Sequence, residues 1–476
     1  MQKNKFNRVI FFAIFTSILL TACESPTTAP NVDLNIELPA EFAMQDVKNS
    51  KQSVRLWWNN FQDANLTQII TTAMENSPDI LVAEQRINAY QARVKLTQAD
   101  FFPTVGMNSK NNLAGINIDL PERNIANLPD LNERIYQRQT AIAASWEADL
   151  FGKKAANSEI AKYALISEEE KLRAIKTAIA AKIAILYFDI IYNEQMLKNN
   201  NSRIKAADNL IKYGEKRFQA GQGKIDGVLE LKRQKENLQA INAIFTANIA
   251  NDREEISLLS GIKNDAIVVK NNNDSAYQNL PLPPAGEKPE NLLYRRPDLL
   301  IARNILAIYV AQRKIAVADF YPSIKLNFSL LEGRVSLGGD ISAQNNSAGG
   351  IIGLDINLPI FTAGRLTEQL KIKDAEILEA AQEYRKKLTT AIFEVDRDYR
   401  NTWALNKQVV NLANSVEISR KKLNADKQLF KYGDATFDAI AKSQLELIEA
   451  ENKYFENRNL YIKSLINLYV DLGGEW

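Results

Sequence analysis

The chain has 476 residues, and its 59 Lys and Arg against 57 Asp and Glu give a net charge of +2. Near-balance excludes the strongly basic face that nucleic acid requires, and a hydrophobic content of 46% excludes global disorder. Histidine is absent and Cys23 is the single cysteine, which removes every Ser-His-Asp or Cys-His device, every His or Cys-cluster metal site and every internal disulfide. Carboxylate, lysine or tyrosine chemistry stays open. No metal ligand set is found.

Residues 1–22 read as an export signal. Lys3, Lys5 and Arg8 precede an apolar run from Val9 to Leu20, too short for a membrane-spanning helix of about 20 residues. The run closes on Leu20-Thr21-Ala22-Cys23, which resembles a lipobox, so Cys23 is the expected lipid attachment point and new N-terminus. The expected cofactor inventory is therefore empty apart from this covalent lipid. More than one acyl chain gives stable anchoring. Loss of residues 1–22 removes three cations and no acid, leaving 56 positive against 57 negative charges. Residues 23–63 then form a lipidated tether and N-terminal segment, with Ser25–Pro39 polar and proline-containing.

The most informative feature is an internal repeat. Pro78-Asp79-Ile80-Leu81 and Pro297-Asp298-Leu299-Leu300 each open a stretch that closes on Ala-Asp-aromatic-aromatic-Pro, at Pro103 and Pro322, and both ends are offset by 219 residues. An offset of 212 then takes over, relating Gly152 to Gly364, Phe218 to Phe430, Gly221 to Gly433, Asp226 to Asp438 and Gly261 to Gly473. The chain is a tandem duplication: a first repeat over 64–261, a proline-containing linker over 262–289, and a second repeat with the C-terminus over 290–476.

Each repeat predicts, in order, a helical stretch (64–99 or 290–319), two strands, a long helix, a Gly-containing turn and a last helix. The long helices cover about 153–219 and 365–431, free of proline. Leu172, Ile175, Ile179, Ile183, Leu186, Ile190, Asn193 and Leu197 step by three and four, close to a heptad seam. At 1.5 Å per residue each long helix spans roughly 100 Å, and the two shorter helices of a repeat sum to nearly the same length. Four columns of equal height suit the wall of a tube.

The strand stretches alternate with period two. Ile324, Leu326, Phe328 and Leu330 alternate with Ser323, Lys325, Asn327 and Ser329. Ile352, Leu354, Ile356 and Leu358 form a second apolar row, and Ile142, Ala144, Trp146, Ala148 and Leu150 a third. Strands near ten residues with lipid outside and water inside are expected, joined by polar loops at about 115–134 and 335–348. A half-buried soluble sheet has the same pattern; the export signal favours the barrel. Four strands cannot close one, and open edges are not tolerated in lipid. Two chains would give a barrel nearly filled by side chains, whereas three give twelve strands and a conduit. The expected fold class is therefore an α+β membrane protein, a tandem-repeat protomer contributing four strands to a 12-stranded trimeric β-barrel and long helices to a trimeric α-barrel.

Tyr294-Arg295-Arg296-Pro297-Asp298-Leu299, followed by Ala316-Val317-Ala318-Asp319-Phe320-Tyr321-Pro322, resembles the outer-membrane efflux protein family, the TolC-like outer-membrane factors, in their lipoprotein branch. Trp57-Trp58 with Phe61, Asp63 and Leu66, Leu358-Pro359-Ile360-Phe361 with Gly364-Arg365, and Arg217-Phe218-Gln219-Ala220-Gly221 are similar to further family segments. The resemblance implies a homotrimer in the outer membrane of a Gram-negative bacterium, its helical barrel extending into the periplasm, with the segments near 40–60, 262–290 and the C-terminus forming a belt around the middle. It also implies a periplasmic adaptor at the helix tips and an inner-membrane pump, of the RND type or an ABC transporter. Arg217, Phe218, Gly221 and Gly433 are the adaptor-contact candidates. The second tip reads Leu429-Phe430-Lys431-Tyr432-Gly433 and lacks the family's basic residue at Leu429.

The expected function is a passive duct for small molecules or drugs, not an enzyme. Its gate candidates are Asp426, Asp434, Asp438 and Asp226, with Leu423 as an apolar ring one turn from Asp426. Each aspartate equally suits a helix cap. A duct for type I protein secretion and a non-pore coiled-coil lipoprotein are the competing readings. Neither nucleic acid nor a catalytic pair of carboxylates is expected.

Overall fold

The computed structural model describes residues 29–32, 37–42, 52–118, 131–264, 267, 269, 280–339 and 343–474. The Cys23 and signal-peptide expectations lie outside these residues. A short 3-10 turn, Trp57–Phe61, comes first. Then follow α1 (Ala64–Asn76), α2 (Pro78–Ala99), β1 (Thr104–Ile118), β2 (Leu131–Ala148), α3 (Lys153–Gln219) and α4 (Ile225–Ser260). The second repeat supplies α5 (Pro289–Arg295), α6 (Pro297–Ala318), β3 (Ser323–Gly339), β4 (Ala343–Asn357), α7 (Arg365–Tyr432) and α8 (Phe437–Asp471). Among the described residues no helix is long and apolar enough to cross a membrane.

The chain divides into two compact units. Among the described residues, the first draws on 29–32, Tyr90–Leu165 and Ile305–Ala381; the second draws on 37–89, Ile166–Asn304 and 382–474.

In the first unit the four strands make one antiparallel sheet in the order β1-β2-β3-β4. Thr104 pairs with Ser145 in one hairpin and Ser323 with Asn357 in the other. These two pairs differ by the same offsets, 219 and 212, that the sequence repeat shows. Between the hairpins, Trp146 faces Leu326, Ala144 faces Phe328 and Ile142 faces Leu330. Directly opposed residues share a face, so the apolar rows of β2, β3 and β4 merge into one apolar surface. The strands run 15 to 18 residues, longer than the expected ten. In β1 the run Asn108-Ser109-Lys110-Asn111-Asn112 is polar on both faces, so it carries no alternation to read. For the same reason the second hairpin is tighter than the loop expected at 335–348: pairing continues to Leu337 opposite Ala343.

The sheet passes into the helices through defined contacts. Asp149 directly follows the end of β2. Its carboxylate caps α3, accepting from the Lys154 and Ala155 amides at 3.0 and 2.9 Å. Trp146 Nε1 donates to the Phe101 carbonyl at 2.8 Å, and Lys153 Nζ lies 2.6 Å from Asp319 Oδ1.

The second unit holds the large hydrophobic core. The α3 seam is buried from Ile179 to Asn193. Trp57 is fully buried and stacks on Tyr469 with ring centroids 5.7 Å apart. Asp63 explains its place after that turn: Oδ1 caps α1 through the Asn65 and Leu66 amides, and Oδ2 accepts from the Tyr187 hydroxyl at 2.7 Å. The linker prolines are held by buried tyrosines, Tyr461 donating to the Pro281 carbonyl and Tyr399 to that of Pro284.

The helical stretch expected over 64–99 is broken at Ser77-Pro78, and that over 290–319 at Arg296-Pro297. Proline cannot supply the amide that a continuing helix needs. Glycine then fits against each break. A Cβ on Gly261 would lie 2.7 Å from the Asn76 carbonyl oxygen, and one on Gly473 would lie 2.8 Å from Arg295 Cβ. Both glycines have positive φ, +68° and +74°. The Arg-Arg-Pro-Asp segment is a clamp. Arg296 donates to both Asp298 carboxylate oxygens at 3.0 and 2.9 Å and to Glu394 at 2.9 Å. It also donates to the Asp471 carbonyl at 3.3 Å, tying α6, α7 and α8 together. Burial opposes ionisation of Asp298, but the hydrogen bond and charge of Arg296 hold its carboxyl below the ordinary value.

Candidate functional site: the paired helix tips

All the tip candidates lie in the second unit, where α3 turns into α4 and α7 turns into α8. Each long helix ends the same way. The Gly221 amide donates to the Phe218 carbonyl at 2.9 Å and the Gln222 amide to that of Arg217 at 2.8 Å. At the other tip Gly433 donates to Phe430 at 3.1 Å and Asp434 to Leu429 at 2.9 Å. This paired bonding requires a left-handed residue after the helix, and Gly221 and Gly433 supply it with φ of +72° and +85°. Their role in the fold is thus to turn the chain.

The two tips are linked. Arg217 Nη1 lies 3.6 Å from Asp438 Oδ2, and Arg217 Nη2 donates to the Gln222 carbonyl at 3.2 Å. The Arg217 guanidinium sits 5.8 Å from the Tyr213 ring centroid. Tyr213 in turn meets Phe437 at 4.9 Å, and Phe437 meets Phe430 at 6.4 Å. The sequence reading missed Tyr213 and Phe437; an aromatic residue about two turns before Gly221 and another one turn after Gly433 were the available signal.

Further from the turns, charged pairs join each hairpin: Lys232 with Glu215 and Lys235 with Asp208 at 2.8 Å each, and Arg420 with Glu451 at 3.3 Å. Gly214 brings α3 close to α4, since a Cβ there would lie 2.9 Å from Val228 Cγ2. Lys422 pairs with Glu446. That hydrogen bond, with the charges of Glu446 and Asp426, raises the Lys422 pKa.

The gate candidates separate by environment. Asp226 and Asp434 are exposed and make no ion pair among the described residues, while Asp426 is half-buried near Lys422. Asp438 is exposed but engaged with Arg217. Neither Asp226 nor Asp438 is the capping residue expected from sequence. The cap positions are Lys224, which makes no side-chain cap, and Thr436, whose side chain accepts from the Ala439 amide; the two aspartates sit in the first turn beyond. Negative charge is favourable there too, because the free amides give that end a partial positive charge. Leu423 is 6% exposed, so the protomer's own packing occupies its side chain. Phe218, Leu429, Phe430 and Tyr432 remain exposed around the turns.

These features sit on a chain with a recognisable lineage. The pattern described as "Outer membrane efflux protein" matches residues 69–261 and 289–474, one segment for each repeat. The chain belongs to the outer membrane efflux protein family. The solvent efflux pump outer membrane protein SrpC of Pseudomonas putida is 26% identical over 419 residues, 87% of this chain and 86% of its own length. The cation efflux system protein CusC of Escherichia coli O157:H7 is 25% identical over 429 residues, 88% of each. In fold, the chain is similar to the open-state MtrE outer-membrane channel of Neisseria gonorrhoeae, with a TM-score of 0.75 and 20% identity over 94% of this chain and 98% of that one. As a member of this family the protein is an outer-membrane efflux channel, and its four-stranded sheet on long helices is the family's protomer fold.

Proposed function

We propose that the protein is the outer-membrane duct of a tripartite pump for small molecules. Three copies close a twelve-stranded barrel in the membrane, and their long helices form the periplasmic wall. The duct is passive; an inner-membrane pump of the RND type supplies the energy, and a periplasmic adaptor meets the tips at Arg217, Phe218, Gly221 and Gly433. Acylation at Cys23 adds a lipid anchor. The observation that carries this reading is the sheet: an apolar face continuous across β2, β3 and β4, with β1 and β4 left as open edges. Unpaired backbone groups cannot remain in lipid, so the edges need partners. The names of SrpC and CusC, a solvent efflux protein and a cation efflux protein, support small-molecule cargo over a secreted protein.

In three copies, Asp226, Asp426 and Asp434 repeat around the conduit and filter ions by charge. Selectivity then comes from rings of like side chains and from conduit width.

Light scattering on the detergent-purified mature protein tests the assembly. A mass of three chains is expected, and a monomer that stays monomeric in lipid overturns the reading. Cys23→Ala is expected to abolish acyl labelling; persistent labelling removes the anchor.

A further inference from the structure

The joint between the two hairpins inside one chain is a template for the joint between chains. The hairpins are the same object, because Thr104 opposite Ser145 and Ser323 opposite Asn357 are related by the repeat offsets. The inner joint pairs the second strand of one hairpin, β2, with the first strand of the next, β3. The two edges left over are again a second strand, β4, and a first strand, β1. Carrying each β2 residue forward by 212 and each β3 residue back by 219 converts the inner register into an outer one. Ser145 opposite Asn327 becomes Asn357 opposite Asn108. Thr140 opposite Glu332 becomes Ile352 opposite Leu113.

The outcome is physically consistent in two independent respects. The face is right. Ile352 lies opposite Phe328 and Leu113 opposite Tyr136 within the chain, so both belong to the apolar face, whereas Asn108 and Asn357 belong to the polar one. A slip of one residue would set apolar against polar along the whole strand. The chemistry is also kept at two contacts. Ser145 Oγ donates to Asn327 Oδ1 at 2.8 Å in the inner joint, and its counterpart is an Asn–Asn pair that can bond amide to amide. Lys153 lies 2.6 Å from Asp319 in the inner joint, and its counterpart is Arg365 with Asp100. Arg365 and Asp100 are exposed and make no ion pair among the described residues. Two other inner contacts are not repeated: Lys325–Glu147 maps to Gly106 and Pro359, and Lys314–Glu159 maps to Lys95 and Lys371. The outer joint therefore carries fewer charges than the inner one.

From this we infer that β4 of one chain pairs antiparallel with β1 of a second copy, with Asn357 opposite Asn108 and the Arg365 guanidinium facing the Asp100 carboxylate. This rests on the trimeric reading but fixes a register that the reading alone leaves open. Directly opposed Cα atoms lie about 4.5–5.5 Å apart, within disulfide reach. In outer membranes treated with an oxidant, the full-length double variant Asn108→Cys/Asn357→Cys is expected to form covalent dimers and trimers, and each single variant is not. Asn108→Cys/Asp355→Cys, two residues out of register, is expected to cross-link at least about tenfold less. Cross-linking that favours the shifted pair overturns the register while sparing the trimer, as does a trimeric mass with no cross-link from either pair. A monomeric mass removes both. Charge reversal gives a second, independent arm. Arg365→Asp is expected to lower the fraction of detergent-stable trimer several-fold, with recovery in Arg365→Asp/Asp100→Arg. Equal loss in the single and double variants contradicts the pairing.

Discussion

Arg217, at the end of one long helix, reaches Asp438, in the first turn of the chain's last helix, at 3.6 Å. The pair is one-sided. The repeat counterpart of Arg217 is Leu429, on the second tip, and that of Asp438 is Asp226, on the first, so the counterpart pair keeps its carboxylate but lacks the cation. Among the described residues this is therefore the only ion pair between the tips, and Asp226 is left exposed.

Both groups of that bridge are about half exposed, so its worth to the fold is under about 1 kcal/mol. Arg217→Ala is accordingly expected to leave thermal stability nearly unchanged. Its effect belongs to the tips: bilayer conductance is expected to rise, and more in low salt, where exposed charges act more strongly. Asp438→Asn should match it. Alanine at Asp226, Asp426 and Asp434 together should raise conductance further; no change in the triple variant would reduce these residues to helix-terminus charges.

The Arg296 clamp is a different case, because its side chain is only 11% exposed and meets three carboxylates. Arg296→Ala leaves Asp298, Glu394 and Asp471 without their shared cation, and a loss of about 3–5 kcal/mol is expected. Arg296→Lys keeps the charge but not the two-pronged bond to Asp298, so it should recover only part of that loss. Thermal unfolding of the purified variants measures both.

Gly261 and Gly473 should resist substitution equally. Alanine at either meets a left-handed backbone and atoms of the helix break at under 3 Å. Each change is expected to cost about 1–3 kcal/mol, and Gly221→Ala, where nothing lies within 4 Å, less. Comparing the three melting points separates crowding from backbone strain.

Stability should fall as pH rises from about 4 to about 7. Burial and a hydrogen bond with Asp398 push the Asp471 carboxyl up to about 7, while burial and the charges of Asp189 and Glu255 push Asp252 up to about 6. The unfolded chain releases these protons near pH 4, so between the two values the folded chain holds more protons and loses stability as pH rises. Asp471→Asn is expected to flatten the slope and raise stability at pH 8. An unchanged slope in Asp252→Asn/Asp471→Asn would contradict this origin.

Much of this architecture is legible in the sequence because duplication prints each feature twice. The long helices follow from proline-free runs with a seam such as Ile183, Leu186 and Ile190, and the tip turns from Gly221 and Gly433 at one offset. Strand length was not legible, since Asn108–Asn112 sit in a ladder that alternation cannot signal. The capping role of Asp149 and the helix break at Ser77 were hidden by their neighbours' strand-like or helical patterns. At the tips, residue identities marked the place, but the Arg217–Asp438 bridge and the Tyr213–Phe437 contact depend on which way each turn folds back. Leu423 shows the converse: a plausible spacing, set against a side chain already buried.

Single-channel recording in planar bilayers tests the duct most directly. Purified wild-type protein should insert and give discrete ion-conducting steps, and Arg217→Ala should give larger or more frequent ones. Inserted trimers that pass no current in either form would contradict a transmembrane conduit.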